Sequence, residues 1–341
     1  MTRRSLLLLP VVLAAAIAGI LLFRAPDAEE LRERRVFLMG TTVTVRGSLS
    51  EPLLDETIAL LGALERRLSA HLDDSEIGRV NADPSSEHPL SPETAQVLAR
   101  ALYWARRSDG AFDPTVRPLT LLWNGDGTRH RPPSPEAVAE ARRHVGWDRV
   151  RLDGDILRLE PSMGLDLGGI AKGYGADEAV RFLRDRGVTR AIVDLGGNVV
   201  VIGDRPGGGP WRIGIQDPQK ERGERLGVLE GRDLSVVTSG NYERFFDWEG
   251  KRWGHIVDPA TGWPSESDLL SVTVVCEASL DGDALATALF VLGRERALSL
   301  KGELEKEGYA FILVGDGLVT ISPSLESSFR LESTEYDLET R

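Results

Sequence analysis

A carboxylate and a hydroxyl lie one helical turn apart in residues 281–292, where the apolar positions follow helical spacing. Asp283 and Thr287 stand at i and i+4, so their oxygens share one face of the predicted helix. This hard-oxygen pair suits Mg²⁺, which keeps bound waters and recruits substrate phosphates. The alternative interpretation is a helix-capping aspartate and a buried threonine.

Two adjacent glycines, Gly168 and Gly169, precede another stretch with helical spacing in the string GLDLGGIAKGYGAD, residues 164–177. Glycines at a loop-to-helix junction let the backbone approach a ligand closely, and the first turn of a helix offers free N–H groups to an anion. Asp166 adds a hydrogen-bond acceptor and Lys172 adds a cation. The pattern favours an anion contact, with an ordinary tight turn before a helix as the alternative.

A histidine stands where an apolar strand meets a loop. His255 begins the string HIVDP and leads into the loop DPATG, residues 258–262. A lone histidine is usually structural, but one at a loop mouth is a candidate general base.

Two other polar strings are less specific. DLGGN, residues 194–198, repeats part of the glycine pattern, and TSGNY, residues 238–242, is typical of a polar β-turn. No Gly-x-x-x-x-Gly-Lys-Ser/Thr string occurs, and neither glycine region fits the dinucleotide fingerprint of a parallel βαβ unit. The spacing alone therefore predicts a Mg²⁺-assisted site for a phosphate-containing ligand.

Composition narrows the class of protein. The chain has 341 residues and a net charge of −12, with no basic stripe that could displace counterions from nucleic acid. Its one cysteine, Cys276, excludes an intrachain disulfide and a cysteine metal cluster. The length favours two domains or one large two-lobed domain.

The N-terminal residues predict export. Arg3 and Arg4 precede residues 5–23, which carry no charge and are long enough to cross a bilayer. The sequence therefore predicts a signal or membrane anchor over 1–24, which we expect to stay uncleaved, and a linker over 25–34.

The remaining chain alternates helical and strand patterns, which predicts an α+β (mixed α/β) fold. The main predicted elements are a strand at 35–46, helices at 52–70, 91–107, 134–145 and 281–292, a closing hairpin at 309–314 and 318–322, and a polar, fraying tail at 324–341.

Taken in series, these strings resemble the ApbE family of FAD:protein FMN transferases. The resemblance runs from about residue 37 to residue 321, within a predicted flavin transferase domain at 35–323. The strings that carry it, in the family's order, are MGT (39–41), AFD (111–113), DLGGIAKGYGAD (166–177), DLGGN, TSGNYERFF (238–246), HIVDPATGWP (255–264) and DALATALFVLG (283–293). The family fold implies antiparallel-rich sheets with outer helices in two lobes, with the ligand in the inter-lobe cleft.

The resemblance also implies a set of site residues. The FAD-binding residues would be Met39, His71, Ala111, Phe112, Asp113, Asp166, Lys172 and His255. The Mg²⁺ ligands would be the Gly169 carbonyl, Asp283 and Thr287. His71 holds a place where the family usually has tyrosine, so an aromatic stacking contact there would involve an imidazole.

The activity implied is Mg²⁺-dependent transfer of FMN from FAD to a Thr or Ser hydroxyl of a target flavoprotein, with AMP released. His255 would be the catalytic base, and Asp283 would act through the metal. Two alternatives are a Mg²⁺-dependent FAD pyrophosphatase that yields FMN and AMP, and a non-catalytic exported FAD-binding protein. The expected acceptor is a subunit of a membrane redox complex, and the expected location is the periplasmic side of the inner membrane.

Overall fold

A computed structural model describes residues 31–124 and 131–341. The anchor predicted at 1–24 lies outside the described residues. Within the two described ranges, no helix combines the length and apolar character needed to cross a membrane.

The main sheet contains nine strands among the described residues. In order across the sheet they are β1 (Arg32–Leu38), β2 (Thr41–Gly47), β6 (Ala191–Leu195), β7 (Asn198–Ile202), β10 (Leu234–Gly240), β13 (Leu269–Cys276), β14 (Ala310–Gly315), β15 (Leu318–Ile321) and β17 (Asp337–Thr340). Neighbours pair antiparallel, except that β17 runs parallel to β15.

Three smaller sheets accompany it. They comprise β3 (His88–Pro89) with β5 (Ile156–Arg158) and β4 (Arg151–Asp153); β16 (Phe329–Leu331) with β9 (Arg225–Gly231) and β8 (Trp211–Gln216); and the hairpin of β11 (Phe245–Trp248) and β12 (Lys251–Gly254). The described helices are α1 (Glu51–Leu68), α2 (Glu76–Ala82), α3 (Pro92–Arg107), α4 (Arg117–Asn124), α5 (Pro135–Arg142), α6 (Ala171–Arg184) and α7 (Ser279–Lys306).

Three helices begin with the same local signal. Ser50, Ser91 and Ser134 precede α1, α3 and α5, and each hydroxyl accepts a hydrogen bond from the N–H three residues later. Each of these helices also has a proline in its first turn, where no N–H is required. These starts are therefore encoded locally.

The main sheet is covered on both faces. On one face α1 and α6 pack over β2, β6 and β7, while α3 and α7 pack over β10, β13 and β14. On the other face, the β16–β9–β8 sheet contributes Ile213, Leu229 and Phe329 to a core with Val236 and Ile312. The predicted α+β fold, with antiparallel-rich sheets and outer helices, is confirmed.

Strand register brings several loops to one end of the main sheet. The β1–β2 turn, the β6–β7 turn and the C-terminal end of β10 meet there, because Val43 pairs with Leu195 and Val237 pairs with Asn198. The N-terminal part of α6 lies at the same end, since a Cβ on Gly175 would lie 3.2 Å from the Leu195 side chain and 3.3 Å from the Met39 sulfur. This end of the sheet gathers the glycine strings singled out in the sequence.

Some boundaries differ from the predictions. The prediction that the tail at 324–341 frays is wrong, because β16 pairs with β9 and β17 pairs with β15. Phe329 and Tyr336 are buried in the core between the main sheet and the β16–β9–β8 sheet, which fixes the tail although its sequence is polar. β1 begins at Arg32, inside the predicted linker, and α7 continues to Lys306 beyond a kink at Gly293.

A close approach between α6 and α7 generates a stability prediction. A Cβ on Gly173 would lie 2.2 Å from the Ser279 backbone oxygen, whereas a Cβ on Gly302 in α7 meets nothing within 4 Å. We expect Gly173→Ala to lower the free energy of unfolding by about 1–3 kcal/mol through overpacking. The matched control, Gly302→Ala, should raise it by about 0.5–1 kcal/mol. Chemical denaturation of both variants measures the difference, and equal effects would contradict the close packing.

Candidate functional site

The loop before α6 is held from two sides. The Asp166 carboxylate accepts a hydrogen bond from the Gly168 N–H at 2.9 Å and another from the Thr120 hydroxyl of α4 at 2.8 Å. The Asn81 side chain of α2 bonds both the N–H and the carbonyl of Leu165, at 2.7 and 2.9 Å. The predicted FAD-binding carboxylate of Asp166 therefore has a defined position at the loop-to-helix junction.

An ion pair between the partly exposed Lys172 and the buried Asp283 joins α6 to α7. Lys172 Nζ donates to the two Asp283 carboxylate oxygens at 3.1 and 3.3 Å and to the Gly168 carbonyl at 2.9 Å. The Gly173 N–H donates to the same carboxylate at 3.0 Å. Asp283 is 2% exposed, so its charge depends on these donors.

The other two predicted metal ligands lie beside this pair. The Thr287 hydroxyl donates to the Asp283 carbonyl at 3.1 Å and lies 3.2 Å from the Ser239 hydroxyl of β10. A Cβ on Gly169 would lie 3.5 Å from the Thr287 hydroxyl oxygen, so the Gly169 backbone borders the same space. The structure thus brings Gly169, Asp283 and Thr287 together.

The chemistry of this donor set fits a magnesium ion. Within 31–124 and 131–341, no three His, Cys, Asp or Glu side chains cluster as a metal site. A divalent ion here would instead use one carboxylate, one hydroxyl and one carbonyl, a set that Mg²⁺ completes with water and phosphate oxygens. The Lys172 ammonium already lies against Asp283 and the Gly168 carbonyl, which marks the position as one that attracts a cation.

The Met39–Gly40 turn has a constrained backbone. Both residues have positive φ, 53° and 69°, as the two-residue turn of a β-hairpin requires. A non-glycine residue is strained in this region, and such strain persists where the surroundings hold it. Here the Met39 N–H donates to the Glu65 carboxylate at 2.7 Å, and the Arg244 guanidinium donates to the Gly40 carbonyl.

The residues of the AFD loop, 111–113, have two different structural roles. Ala111 and Phe112 are buried, and a ring carbon of Phe112 would lie 3.1 Å from a Cβ on Gly169, so this ring borders the predicted site. The Asp113 carboxylate instead accepts from the Thr115 N–H and hydroxyl and from the Trp147 N–H. Burial raises the pKa of Asp113. Its side chain therefore fastens the loop, and the predicted contact of Asp113 with FAD stays a prediction.

His255 has a defined tautomer. Its Nδ1 lies 3.2 Å from the Arg244 carbonyl, which can only accept, so Nδ1 carries the proton and Nε2 is left as an acceptor. Burial lowers the pKa of His255 to about 4, and the charges of Arg244 and Lys172 act in the same direction. The imidazole is therefore neutral near pH 7 with an unprotonated Nε2, as a general base requires.

His71 stands apart from this cluster. It is exposed, and its Nδ1 lies 3.5 Å from the Arg117 guanidinium of α4. Burial lowers the pKa of Arg117, while the charges of Asp166 and Asp73 oppose that shift. The predicted contact of His71 with FAD stays a prediction.

The sequence did not predict the structural roles of several polar groups at this end of the main sheet. Thr238–Gly240 belong to strand β10, so the predicted β-turn at 238–242 is wrong over these residues, and Ser239 reaches Thr287. The second glycine string forms the β6–β7 turn, where the Asp194 carboxylate accepts from the Gly197 N–H at 2.9 Å. Asn198 is fully buried, and its amide nitrogen and oxygen have no partner among the described residues. Such a group needs a water or ligand partner.

The chain is similar to known proteins over most of its length. The model described as the ApbE family matches residues 39–312. An FAD:protein FMN transferase of Treponema pallidum is 36% identical over 329 residues, covering 90% of this chain and 91% of that protein. The Haemophilus influenzae FAD:protein FMN transferase is 35% identical, with 84% and 88% covered.

Solved structures agree with these relatives. The crystal structure of the ApbE protein from Thermotoga maritima has a TM-score of 0.81 at 30% identity, covering 88% of this chain and all of that one. The apo flavinyl transferase ApbE of Pseudomonas stutzeri has a TM-score of 0.76 at 34% identity, with 88% and 97% covered.

The environment of His255 generates a pH prediction. A histidine with an ordinary pKa near 6.5 is mostly charged at pH 5.5, whereas His255 should stay neutral with its proton on Nδ1. Long-range ¹H–¹⁵N NMR of the imidazoles, with His255→Gln to assign the signal, measures the tautomer directly. Because the unfolded chain binds this proton at higher pH than the folded chain, its contribution to stability is lost as pH falls from 6.5 through 4. A charged His255 at pH 5.5 would contradict the assignment.

Proposed function

Because this chain belongs to the ApbE family, we propose that it is an FAD:protein FMN transferase acting on an acceptor flavoprotein. The observation that carries the proposal is the junction of α6 and α7. There the Asp283 carboxylate holds a cation beside the Gly169 backbone and the Thr287 hydroxyl. His255, the proposed base, lies at the same end of the sheet, because Arg244 contacts both its imidazole and the Gly40 carbonyl. A flavin store would need neither group.

In the proposed reaction, a Thr or Ser hydroxyl oxygen of the acceptor attacks the FMN phosphorus of FAD. A phosphoester bond forms between them, the bond from that phosphorus to the AMP phosphate oxygen breaks, and AMP leaves. His255 accepts the hydroxyl proton on Nε2, which the Arg244 carbonyl keeps free by fixing the tautomer. When bound, Mg²⁺ offsets the negative charge of the pyrophosphate oxygens.

The chain's own residues would bind and orient FAD. The Met39–Gly40 turn, Phe112 and Asp166 border the space where the dinucleotide would lie, with Phe112 as an apolar face for a planar ring. Lys172 can exchange Asp283 for a phosphate oxygen, since its ammonium can bond either. Asp113 would act indirectly, by holding the loop that carries Phe112.

The N-terminal sequence supports a location for the protein, and the family resemblance supports a class of partner. We propose that residues 1–24 anchor the chain in the inner membrane and that the transferase domain lies on the periplasmic side. The acceptor would be a flavoprotein subunit of a membrane redox complex, and the net charge of −12 argues against a nucleic acid partner.

Mass spectrometry of candidate acceptor subunits tests transfer. After incubation with this protein, FAD and Mg²⁺, we expect a covalent FMN adduct on one Thr or Ser and an equal amount of AMP. His255→Ala should slow labelling by about 10²–10⁴-fold while FAD still binds, because only the proton acceptor is lost. An arm without acceptor distinguishes the alternatives. Rapid release of free FMN indicates a pyrophosphatase, and bound FAD without turnover in either arm indicates a binding protein.

Two variants of Thr287 test its assignment as a metal ligand. Thr287→Val removes the hydroxyl but keeps the shape, whereas Thr287→Ser keeps the hydroxyl. We expect the valine variant to raise the Mg²⁺ concentration for half-maximal labelling by at least about tenfold, with the serine variant close to wild type. Asp283→Ala should abolish nearly all turnover. Equal Mg²⁺ dependence in the two Thr287 variants would contradict a ligand role for this hydroxyl.

A further inference from the structure

The β11–β12 hairpin stands apart from the main sheet and leads to His255. Its two strands pair only with each other among the described residues, and they are joined by a turn at Glu249 and Gly250 with φ of 49° and 76°. Gly254 ends β12, and His255 follows directly. The proposed catalytic histidine is therefore the first residue after this hairpin.

The register of the hairpin decides which backbone groups face outward. The His255 N–H donates to the Arg244 carbonyl at 3.1 Å, so Arg244 and His255 form a hydrogen-bonded pair. In an antiparallel pair these positions alternate, so Phe246 and Trp248 also bond to β12. The N–H and carbonyl groups of Phe245 and Asp247 consequently point away from β12.

Neither strand of the hairpin pairs with a third strand among the described residues. The chain that follows β12 is held elsewhere, because Val257 forms a β-bridge with Pro264 and the Ser265 N–H donates to the Ile256 carbonyl at 2.8 Å. Lys251 of β12 forms an ion pair with Glu266. The outer edge of β11 is therefore open to another strand.

The hairpin is held in place by the packing of one tryptophan side chain. The Trp253 ring of β12 stacks on Trp123 of α4 at 5.4 Å and lies 5.9 Å from Trp263. In contrast, Phe245 and Trp248 are 42% and 38% exposed. A four-residue edge on an ordered support, with one exposed aromatic side chain on each face of the hairpin, is suited to binding another polypeptide strand.

We propose that β11 is the docking strand for the acceptor flavoprotein. An extended segment of the acceptor pairs with the outward backbone groups of Phe245 and Asp247, and its apolar side chains contact Phe245 and Trp248. The segment continues past Arg244, where its Thr or Ser hydroxyl meets Nε2 of His255. This inference rests on the proposed function and specifies how its protein substrate binds.

The occupant follows from the position of the edge. Transfer to a protein requires a polypeptide whose backbone enters a site and presents one hydroxyl to the base. β11 begins one residue after Arg244, whose carbonyl fixes His255, so a strand added along β11 extends towards the proposed base. A second copy of this chain or a small ligand would have no reason to enter in that direction.

Amide hydrogen exchange on the wild-type protein tests the pairing residue by residue. The probe is a peptide that spans the labelled Thr or Ser of the subunit identified by mass spectrometry, with that residue changed to alanine to prevent turnover. The Phe245 and Asp247 amides should exchange rapidly in the free protein and become protected when the peptide binds. The amides of Phe246 and Trp248 are bonded to β12 in both states and should change little.

Two substitutions at one position separate the backbone from the side chain. Asp247→Pro removes the outward N–H, and Asp247→Ala keeps it while removing the carboxylate that pairs with Arg252. We expect Asp247→Pro to raise KM for the intact acceptor subunit about tenfold, with Asp247→Ala near wild type. Phe245→Ser should also raise this KM. Leu338→Ser, at the far edge of the main sheet and similarly exposed, should not. FAD binding and the melting temperature of each variant report whether the fold is kept.

The outcomes separate this inference from the proposed function. If the wild type labels its acceptor but Asp247→Pro and Phe245→Ser keep the same KM, and the odd-numbered amides stay unprotected, the docking strand is wrong and the transferase proposal stands. If the wild type labels no acceptor, the proposed function is wrong and this inference is wrong with it.

Discussion

The ion pair of Lys172 with the buried Asp283 is the constraint on which the rest of the site depends. Asp283 can remain charged in the interior only while donors surround it, and those donors are the Lys172 ammonium and the Gly173 N–H. Removing one partner of such a pair typically costs about 3–5 kcal/mol, because the other charge is left uncompensated. Gly173 makes this contact possible, since its missing Cβ lets α6 approach the start of α7. The pair therefore sets both the spacing of two helices and the position of a cation.

A second carboxylate, which belongs to α6, holds the N-terminus of α7. Ala278 precedes the helix and offers no capping side chain, so the first N–H groups need other acceptors. The Asp177 carboxylate supplies them by accepting from the N–H groups of Ser279 and Leu280, both at 2.8 Å. Burial raises the pKa of Asp177 to about 6, so its charge is retained mainly through these bonds. Together, Lys172 and Asp177 fasten α6 to α7 at two points, which leaves Thr287 one turn beyond Asp283 on a fixed helix.

Among the described residues, the backbone of Arg244 positions His255. The Arg244 carbonyl fixes its tautomer, and the Arg244 guanidinium reaches the Gly40 carbonyl in the strained β1–β2 turn. Arg244 thus connects the hairpin, the proposed base His255 and the predicted flavin-binding turn. Movement of the hairpin would consequently alter the orientation of the imidazole. This coupling suits an enzyme whose second substrate is a protein, because the hairpin joins the proposed docking strand β11 to the proposed base His255.

The sequence by itself determined the features that depend on short-range geometry. The Ser-Pro starts of α1, α3 and α5 are satisfied within three residues, and the i, i+4 relation of Asp283 and Thr287 follows from helical spacing alone. The order of the family's strings gave the fold class and the candidate residues for the site. Only the tertiary structure decided features that join distant segments. It turned Asp113 inward to Trp147, placed Ser239 on a strand facing Thr287, and fixed the polar tail through the burial of Phe329 and Tyr336. The reason is physical: the local sequence sets which conformations are favourable, but the direction of a polar side chain depends on which partner the packed fold brings within hydrogen-bond distance.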